Sequence, residues 1–258
     1  MVFSIIATDM PFAKSSLIWY DFSMYLSVII PAYNEEKRIG KTLEAIREYL
    51  SEQSYEWEVI VVNNNSNDAT SEIAEKYQVH VIDEKRPGKG YAVTTGMLEA
   101  KGDLRLFTDA DNSTSIDHLD LMIPYMQNYD VAIGSLAVPG AKVVQGGEEP
   151  WYRVIMGKLG NKWIQLFAVW GIHDTQRGFK LFKAQAVEKI FPKLTIFGWG
   201  FDVEVLALAR KFGFTIKEIP VTWDNDPNSK VTVWAYPQVL LQTLNVRWNL
   251  LTNKYGSR

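Results

Sequence analysis

The stretch Leu104-Arg-Leu-Phe-Thr-Asp-Ala-Asp111 runs from a mostly apolar strand directly into two carboxylates separated by one small residue. Asn112 and Ser113 then turn the chain away, so Asp109 and Asp111 are predicted at the carboxyl end of a strand. In an open α/β sheet, ligands bind at this edge. Two carboxylates there can hold one divalent cation, whose other ligands are water and substrate phosphates. The alternative is a solvated turn whose aspartates cap the following helix.

Short apolar runs alternate with helical patterns through the first half of the chain. Strands are predicted at residues 26–30, 58–62, 79–82, 104–107 and 130–134. Helices are predicted over 39–50, around 73–77 and over 88–100. This alternation indicates right-handed βαβ units, and thus a single α/β domain with a mostly parallel central sheet flanked by helices. The polar turns after the strands then lie on one edge, which favours the metal interpretation.

The second half of the chain is less regular. Its predicted elements are a Trp-rich helix over 151–170, helices over 186–191 and 203–211, a strand over 215–223, a loop over 224–230 and a final helix. Trp163, Phe167 and Trp170 form a stripe that we interpret as core rather than as a lipid site. One face of the final helix carries Leu240, Leu244, Trp248 and Leu251.

These patterns divide the chain into three parts. Residues 1–24 form an N-terminal extension, and residues 25–231 form the main domain. Residues 232–258 form a C-terminal amphipathic helix, packed on the domain or lying at a membrane surface.

The bulk composition narrows the class of protein. A net charge of −3 and a pI of about 5.7 argue against a nucleic-acid-binding protein. The absence of cysteine excludes disulfides and thiol chemistry, and it is compatible with a reducing, cytoplasmic compartment. His80, His118 and His173 are too scattered to suggest a zinc site. We expect neither a signal peptide nor a transmembrane segment, which needs roughly 20 apolar residues.

Four ordered motifs carry a family resemblance. They are Pro31-Ala-Tyr-Asn-Glu-Glu36, Ser66-x-Asp68, Gly88-Lys-Gly-x-Ala-Val93 and Asp109-Ala-Asp111. Together they resemble the family 2 glycosyltransferases, whose nucleotide-diphospho-sugar-binding α/β fold is called GT-A. Later segments at 171–182, 199–204 and 228–230 resemble the branch of polyprenyl-phosphate glycosyltransferases that makes dolichyl-phosphate glucose. The likeness spans about residues 26–231 and implies a GT-A domain there.

The resemblance also implies a set of site residues. The nucleoside pocket would be lined by Pro31, Tyr33, Asn34 and Glu35, with Lys89 near it. Asp109 would touch the ribose or the metal, and Asp111 would hold Mg²⁺ or Mn²⁺ against the diphosphate. The sugar and acceptor would face Asp174, Gln176, Asp202 and Lys230. Further substrate contacts are expected from Asn63, Ala110, Arg153 and Arg177.

Three positions depart from the family pattern. Asn63 and Asn64 stand where such enzymes usually carry an acidic pair. An amide has one donor and one acceptor, as uracil requires, whereas a carboxylate only accepts and suits guanine, so we take UDP over GDP as a hypothesis. Leu136 stands where Gly-Ser-Arg is expected, so a cation is missing that Arg153 or Arg177 would replace. Arg177 itself replaces the family's usual cysteine.

The chemistry of transfer assigns roles to these residues. A divalent ion and Lys89 would neutralise charge on the departing diphosphate. A sugar hydroxyl acceptor must lose a proton, but a phosphate monoester is largely dianionic at neutral pH and already nucleophilic. Asp202 therefore orients the acceptor, acts as a base, or only caps its helix. Asp174 serves the site or a packed turn, and Lys230 is expected to bind phosphate.

The leading hypothesis is an inverting transferase that moves glucose from UDP-glucose to a polyprenyl (dolichyl-type) phosphate. We expect it to attach reversibly to the cytoplasmic face of a membrane, since the acceptor is a lipid. One alternative keeps the donor site but uses GDP-mannose, or a saccharide hydroxyl as acceptor, as in cell-envelope polysaccharide synthesis. Another is a non-catalytic nucleotide-sugar-binding protein, motivated by Asn63, Asn64 and Leu136.

Overall fold

The computed structural model describes residues 25–144, 151–224 and 235–256, apart from the side chains of residues 151–155 and 158. The strands are β1 (Tyr25–Ala32), β2 (Glu56–Asn63), β3 (His80–Asp83), β4 (Leu104–Thr108), β5 (Val131–Ser135), β6 (Lys142–Val144), β7 (Phe179–Lys183), β8 (Ile216–Pro220) and β9 (Thr222–Asp224). The α-helices are α1 (Ile39–Ser51), α2 (Thr70–Glu75), α3 (Lys89–Glu99), α4 (Leu119–Met122), α5 (Trp151–Phe167), α6 (Ala184–Ile190), α7 (Phe201–Lys211) and α8 (Ala235–Leu251).

The central sheet has seven strands in the order β3-β2-β1-β4-β7-β5-β8. All neighbours pair in parallel except β7, which runs antiparallel to both β4 and β5. The predicted α/β class with a mostly parallel sheet is confirmed. The polar turns after β1, β2 and β4 therefore lie at one edge of the sheet.

Helices cover both faces of the sheet. Alternate residues of β1 point to opposite sides, so Val28 and Ile30 pack on the face of α1 while Ile29 packs on the face of α3. The predicted apolar stripe of α1, from Ile39 to Leu50, is fully buried. The helices on the opposite face, α3, α5, α6, α7 and α8, share one core with the sheet.

Sequence reasoning missed strand β7 and misjudged the segment at 215–223. β7 reads Phe-Lys-Leu-Phe-Lys, and Lys180 in its centre is fully buried, so its burial does not follow the polarity of its residues. The predicted strand over 215–223 is split into β8 and β9. Proline at position 220 lacks an N–H donor and ends β8, after which β9 pairs with β6 in a separate two-stranded sheet.

The apolar face predicted for the final helix points outward. Trp248 and Leu251 are exposed, whereas the buried side of α8 carries Val239, Val246 and the polar Thr243. The core interpretation of the Trp-rich stripe is also wrong at Trp170, which is 74% exposed because α5 ends three residues before it. In the part of the chain that is described, no helix combines the length and apolarity needed to cross a bilayer.

Candidate active site

The turns that follow β1, β2 and β4 meet in one cleft of about 810 Å³. Seven residues expected at the site line it: Pro31, Tyr33, Glu35, Lys89, Asp109, Ala110 and Asp111. Asn64, whose amide was considered for reading the base, also lines it. The other lining residues were not assigned to the cleft from the sequence: Ala32, Arg38, Asn65, Asn67, Pro87, Gly88, Ala92, Gly198 and Trp199. Arg38 adds a cation to the cleft. The only feature of the sequence that could have indicated this is its position just before α1, next to the turn that follows β1.

Asp109 is held from two sides at the end of β4. Its Oδ1 lies 2.5 Å from Lys89 Nζ, and its backbone N–H donates to the carbonyl of Gly178 at 3.1 Å. A Cβ atom added at Gly178 would lie only 1.9 Å from Asp109 Oδ2. Burial alone would lower the pKa of Lys89, but the carboxylates of Asp109 and Asp202 outweigh it and raise that pKa.

Asp111 carries charge that its surroundings compensate poorly. Its Oδ1 accepts a hydrogen bond from the Ser113 N–H at 3.0 Å. Burial and the neighbouring charge of Asp109 raise the pKa of Asp111, although Arg38 opposes this shift. A cation bound between the two carboxylates would relieve this strain.

The donor set fits a magnesium or manganese ion. Asp109 and Asp111 supply hard oxygen ligands, which such ions prefer. Within the described residues, no third acidic residue or histidine joins them in a cluster that would hold an ion. A site with two carboxylates leaves coordination positions for water and for the phosphates of a substrate.

The turn after β1 is braced by the turn after β2. Asn34 has a positive φ of 54°, and its Oδ1 accepts a hydrogen bond from the Asn67 N–H at 2.8 Å. Asn34 therefore shapes the turn and is not among the residues that line the cleft. Glu35 pairs with Arg38 at 2.5 Å, and Tyr33 stands half-exposed in the cleft.

The two asparagines after β2 serve the protein backbone. Asn63 donates to Asp83 Oδ1 and accepts from the Ser66 N–H, and it does not line the cleft. Asn64 donates to the carbonyls of Glu84 and Arg86, while its Oδ1 accepts from the Gly88 N–H. Asn64 thus has both amide hydrogens and its oxygen engaged by backbone groups, and Asn63 does not line the cleft, so the geometry withdraws the amide argument for uracil.

The start of α3 approaches the opposite wall of the cleft closely. The Gly90 N–H donates to the carbonyl of Phe197 at 3.0 Å, and a Cβ at Gly90 would lie 2.6 Å from the Phe197 Cα. The Tyr91 and Phe197 rings stack with centroids 3.8 Å apart. The Gly88-Lys-Gly90 motif therefore positions Lys89 by allowing backbone contact with the Phe197 segment.

A buried ion pair lies behind the cleft. Lys180 Nζ is 2.5 Å from Asp202 Oδ1 and also donates to the carbonyl of Arg177. Burial lowers the pKa of Lys180 and raises the pKa of Asp202, while the mutual attraction opposes both shifts. The N-cap of α7 is Gly200 and has no side-chain cap, so the capping role considered for Asp202 is not realised.

The loop before β7 forms a second polar cluster. Asp174 Oδ2 accepts hydrogen bonds from the Leu136 N–H and from Arg177 Nε, both at 3.0 Å. The Arg177 guanidinium lies 4.6 Å from the centre of the Trp223 ring. Because both groups bind the same carboxylate oxygen, Arg177 lies beside Leu136, the position where the family pattern has a cation and this chain does not.

The remaining predicted site residues fall in three places. Gln176 Nε2 donates a hydrogen bond to the carbonyl of Trp199 at 3.3 Å, and this bond supports the wall of the cleft. Lys230 lies outside the described residues. Arg153 belongs to α5, but its side chain is likewise outside the description.

Residues 27–191 match the sequence model of Glycosyl transferase family 2. The chain belongs to this family. A Drosophila melanogaster dolichyl-phosphate beta-glucosyltransferase is 37% identical over 239 residues, which cover 84% of this chain and 72% of the relative. The Homo sapiens protein of the same name is 32% identical, with 92% and 79% covered.

Solved structures agree with a family 2 glycosyltransferase in fold. The glucosyl-3-phosphoglycerate synthase of Mycobacterium tuberculosis, crystallised with Mn²⁺, UDP-glucose and phosphoglyceric acid, superposes with a TM-score of 0.68. The superposition covers 91% of this chain and 81% of the synthase at 16% identity. At that identity the likeness shows the GT-A fold alone.

The cleft wall of this family 2 glycosyltransferase is held from behind by α8. Gln242 Oε1 accepts a hydrogen bond from the Gly200 N–H at 2.7 Å. A Cβ at Gly198 or Gly200 would lie within 2.9 Å of the Gln242 side chain, so both glycines permit the contact. Gln242 therefore positions the segment that carries Trp199 into the cleft and Asp202 into α7.

We expect Gly178→Ala to abolish sugar transfer while the chain still folds. The added methyl group displaces the Asp109 carboxylate from Lys89, and a misplacement of about 1 Å can cost about 10²-fold in rate. Steady-state kinetics and thermal unfolding check this. Gly157→Ala is the matched control, because a Cβ there meets no atom within 4 Å. Activity of Gly178→Ala within a few-fold of the native value would contradict the constraint.

We expect Glu84→Gln to destabilise the protein in a pH-dependent way. Hydrogen bonds from Arg86 and Thr95 lower the pKa of Glu84 to about 2, against about 4.3 in an unfolded chain. The carboxylate therefore stabilises the fold above about pH 4.3, and this contribution is lost as the pH falls toward 2. Urea unfolding of both proteins between pH 7 and 3 should show a gap that narrows on acidification. The exposed Glu75→Gln is the control, and a pH-independent gap would contradict the assignment.

Proposed function

We propose that this family 2 glycosyltransferase moves glucose from UDP-glucose to a polyprenyl phosphate of the dolichyl type, with inversion at C1. The observation that carries the proposal is the convergence of Asp109, Asp111 and Lys89 in one cleft at the carboxyl ends of the strands. The names of the relatives support the glucose and the dolichyl phosphate. The ligands of the structural neighbour support the uridine donor.

The proposed metal is Mg²⁺ or Mn²⁺, held by Asp111 and Asp109. When bound, it supplies positive charge to the departing diphosphate. Lys89 and Arg38 add fixed positive charge in the same cleft. Because Lys89 is already paired with Asp109, it is oriented before the substrate arrives, and this lowers the reorganisation needed for transfer.

The proposed reaction is a single displacement. An oxygen of the acceptor phosphate attacks C1 of glucose, the bond from C1 to the β-phosphate oxygen breaks, and UDP leaves with that electron pair. The α-linked donor sugar then becomes a β-linked product. A phosphate acceptor is already dianionic at neutral pH, so the reaction needs cations on the acceptor more than a strong base.

We assign the acceptor side to the cluster around Arg177. Its guanidinium is anchored by Asp174 and stacked on Trp223, which leaves it oriented for an anion. Lys230 is proposed to join it. Asp202, which is paired with Lys180, is proposed to orient Lys89 and the sugar rather than to take a proton from the acceptor. We further propose that the enzyme is a peripheral protein on the cytoplasmic face of a membrane.

A direct assay tests the proposal. UDP-glucose and GDP-mannose are offered separately, each with a short-chain polyprenyl phosphate and either Mg²⁺ or Mn²⁺. We expect a β-linked glucosyl lipid from UDP-glucose and its loss when EDTA is added. An α-linked product would refute the single displacement, and a product from GDP-mannose alone would refute the donor. A product only from a saccharide acceptor, or none, would support the alternative functions.

We expect Asp111→Asn to lower activity by about 10²-fold or more, and to raise the metal concentration needed for half-maximal rate. The same change removes a buried charge that is repelled by Asp109, so the metal-free melting temperature should stay the same or rise. Kinetics over a Mn²⁺ series and thermal unfolding give the two readouts. Asp117→Asn is the control, since its carboxylate is exposed. An unchanged metal requirement would remove Asp111 from the site.

A further inference from the structure

The two helices α5 and α8 present large apolar side chains to solvent. On α8 these are Leu241, Leu244, Trp248 and Leu251. On α5 and the turn after it they are Leu159, Leu166 and Trp170. Trp248 is 67% exposed and Trp170 is 74% exposed, which is unusual for residues of this size. We call these seven residues the apolar face.

The six helical members of the apolar face lie together, and Trp170 follows α5 by three residues. At about 100° per residue, the four α8 residues fall within an arc of about 80°, and Leu159 and Leu166 differ by about 20°. The two helices touch where Trp163 Nε1 donates to the carbonyl of Leu240 at 3.3 Å. Leu240 and Trp163 are neighbours of the exposed stripes on their own helices, so the stripes adjoin across this seam.

The segments that carry the apolar face bear charge of one sign. None of the chain's 30 acidic residues falls between positions 151 and 173 or between 231 and 258. The charged residues in the described parts of these segments are basic, and Lys162, Arg247 and Lys254 are exposed. A protein with a net charge of −3 therefore carries a basic, acid-free region on the two helices with exposed Leu and Trp.

We propose that the apolar face docks on an anionic lipid bilayer. Leucines would enter the boundary of the acyl chains, Trp170 and Trp248 would lie at the headgroup level, and the three bases would contact anionic headgroups. A second copy of the chain fits this region poorly, because a symmetric contact would bring like charges together. The proposal rests on the proposed function only in that a lipid acceptor gives the enzyme a reason to bind a membrane. The apolar face itself is identified from the exposure and charge of its residues.

Helix α8, which carries part of the apolar face, also contacts the wall of the active site. The inner side of the same helix carries Gln242, whose contact with Gly200 holds the cleft wall. Trp199 of that wall lines the cleft, and Asp202 follows two residues after Gly200. A bilayer bound to the outer side of α8 is therefore one helix away from the wall of the cleft.

Vesicle binding of the full chain tests the proposal. The vesicles contain equal parts of phosphatidylcholine and phosphatidylserine, with no polyprenyl phosphate, so that acceptor binding does not contribute. We expect sedimentation with these vesicles, weaker sedimentation with pure phosphatidylcholine, and a loss of about tenfold or more in affinity for the double variant Trp170→Ser and Trp248→Ser. Replacing Lys162 and Arg247 by Gln should reduce the dependence on phosphatidylserine.

The matched control replaces two exposed apolar residues elsewhere, Leu121→Ser and Tyr125→Ser, and should bind vesicles like the native chain. Native binding by the tryptophan double variant would overturn the proposal. Failure of the native chain to bind the vesicles would also overturn it, as would a dimer in light scattering that the same two substitutions dissociate.

A second readout separates this proposal from the proposed function. Glucosyl transfer to a short acceptor in detergent should be unchanged in the tryptophan double variant, because neither residue lines the cleft. Vesicle binding without any transferase activity would contradict the proposed function and leave the docking face supported. Transfer in detergent without vesicle binding would support the proposed function and contradict the docking of the apolar face on a bilayer.

Discussion

The position of the Asp109 carboxylate is the constraint on which the cleft depends. One side of this group lies against Gly178, where there is no space for a methyl group, and the other side is paired with Lys89. Because β4 and β7 are antiparallel neighbours, the end of one strand and the start of the other meet at this point. The end of β4, which carries the aspartates of the cleft, and the loop before β7, which carries Asp174 and Arg177, therefore meet where Asp109 contacts Gly178.

From this contact, charges of alternating sign extend into the protein. Asp111 and Asp109 face the cleft, Lys89 is influenced by both Asp109 and Asp202, and Lys180 ends the series in the core. The carboxylates outnumber the ammonium groups, so the series as a whole attracts a cation. A bound divalent ion would make the balance positive, which would suit a diphosphate. Lys180 thus affects the charge of the cleft through Asp202 although it does not line the cleft.

The fold, and the part of the cleft that carries Asp109 and Lys89, could be predicted from the sequence because both depend on local patterns. The βαβ alternation determines which turns share an edge, and that rule brought Asp109 and Lys89 together without any knowledge of distances. The acceptor side required contacts between distant residues. Lys180 is fully buried, and it is paired there with Asp202, which lies 22 residues further along the chain. Asn64 resembled a ligand because its partners are backbone groups that composition does not reveal.

The reversed strand β7 also affects how the chain reaches its final state. It lies between β4 and β5 but follows both in the chain, so these two strands do not pair with each other. Until residues 179–183 have been synthesised and inserted, the sheet consists of separate parts with unpaired edges. Pairings across such sequence separations form slowly. Between the synthesis of β5 and the arrival of β7, a nascent chain therefore exposes unpaired strand edges, which favour aggregation.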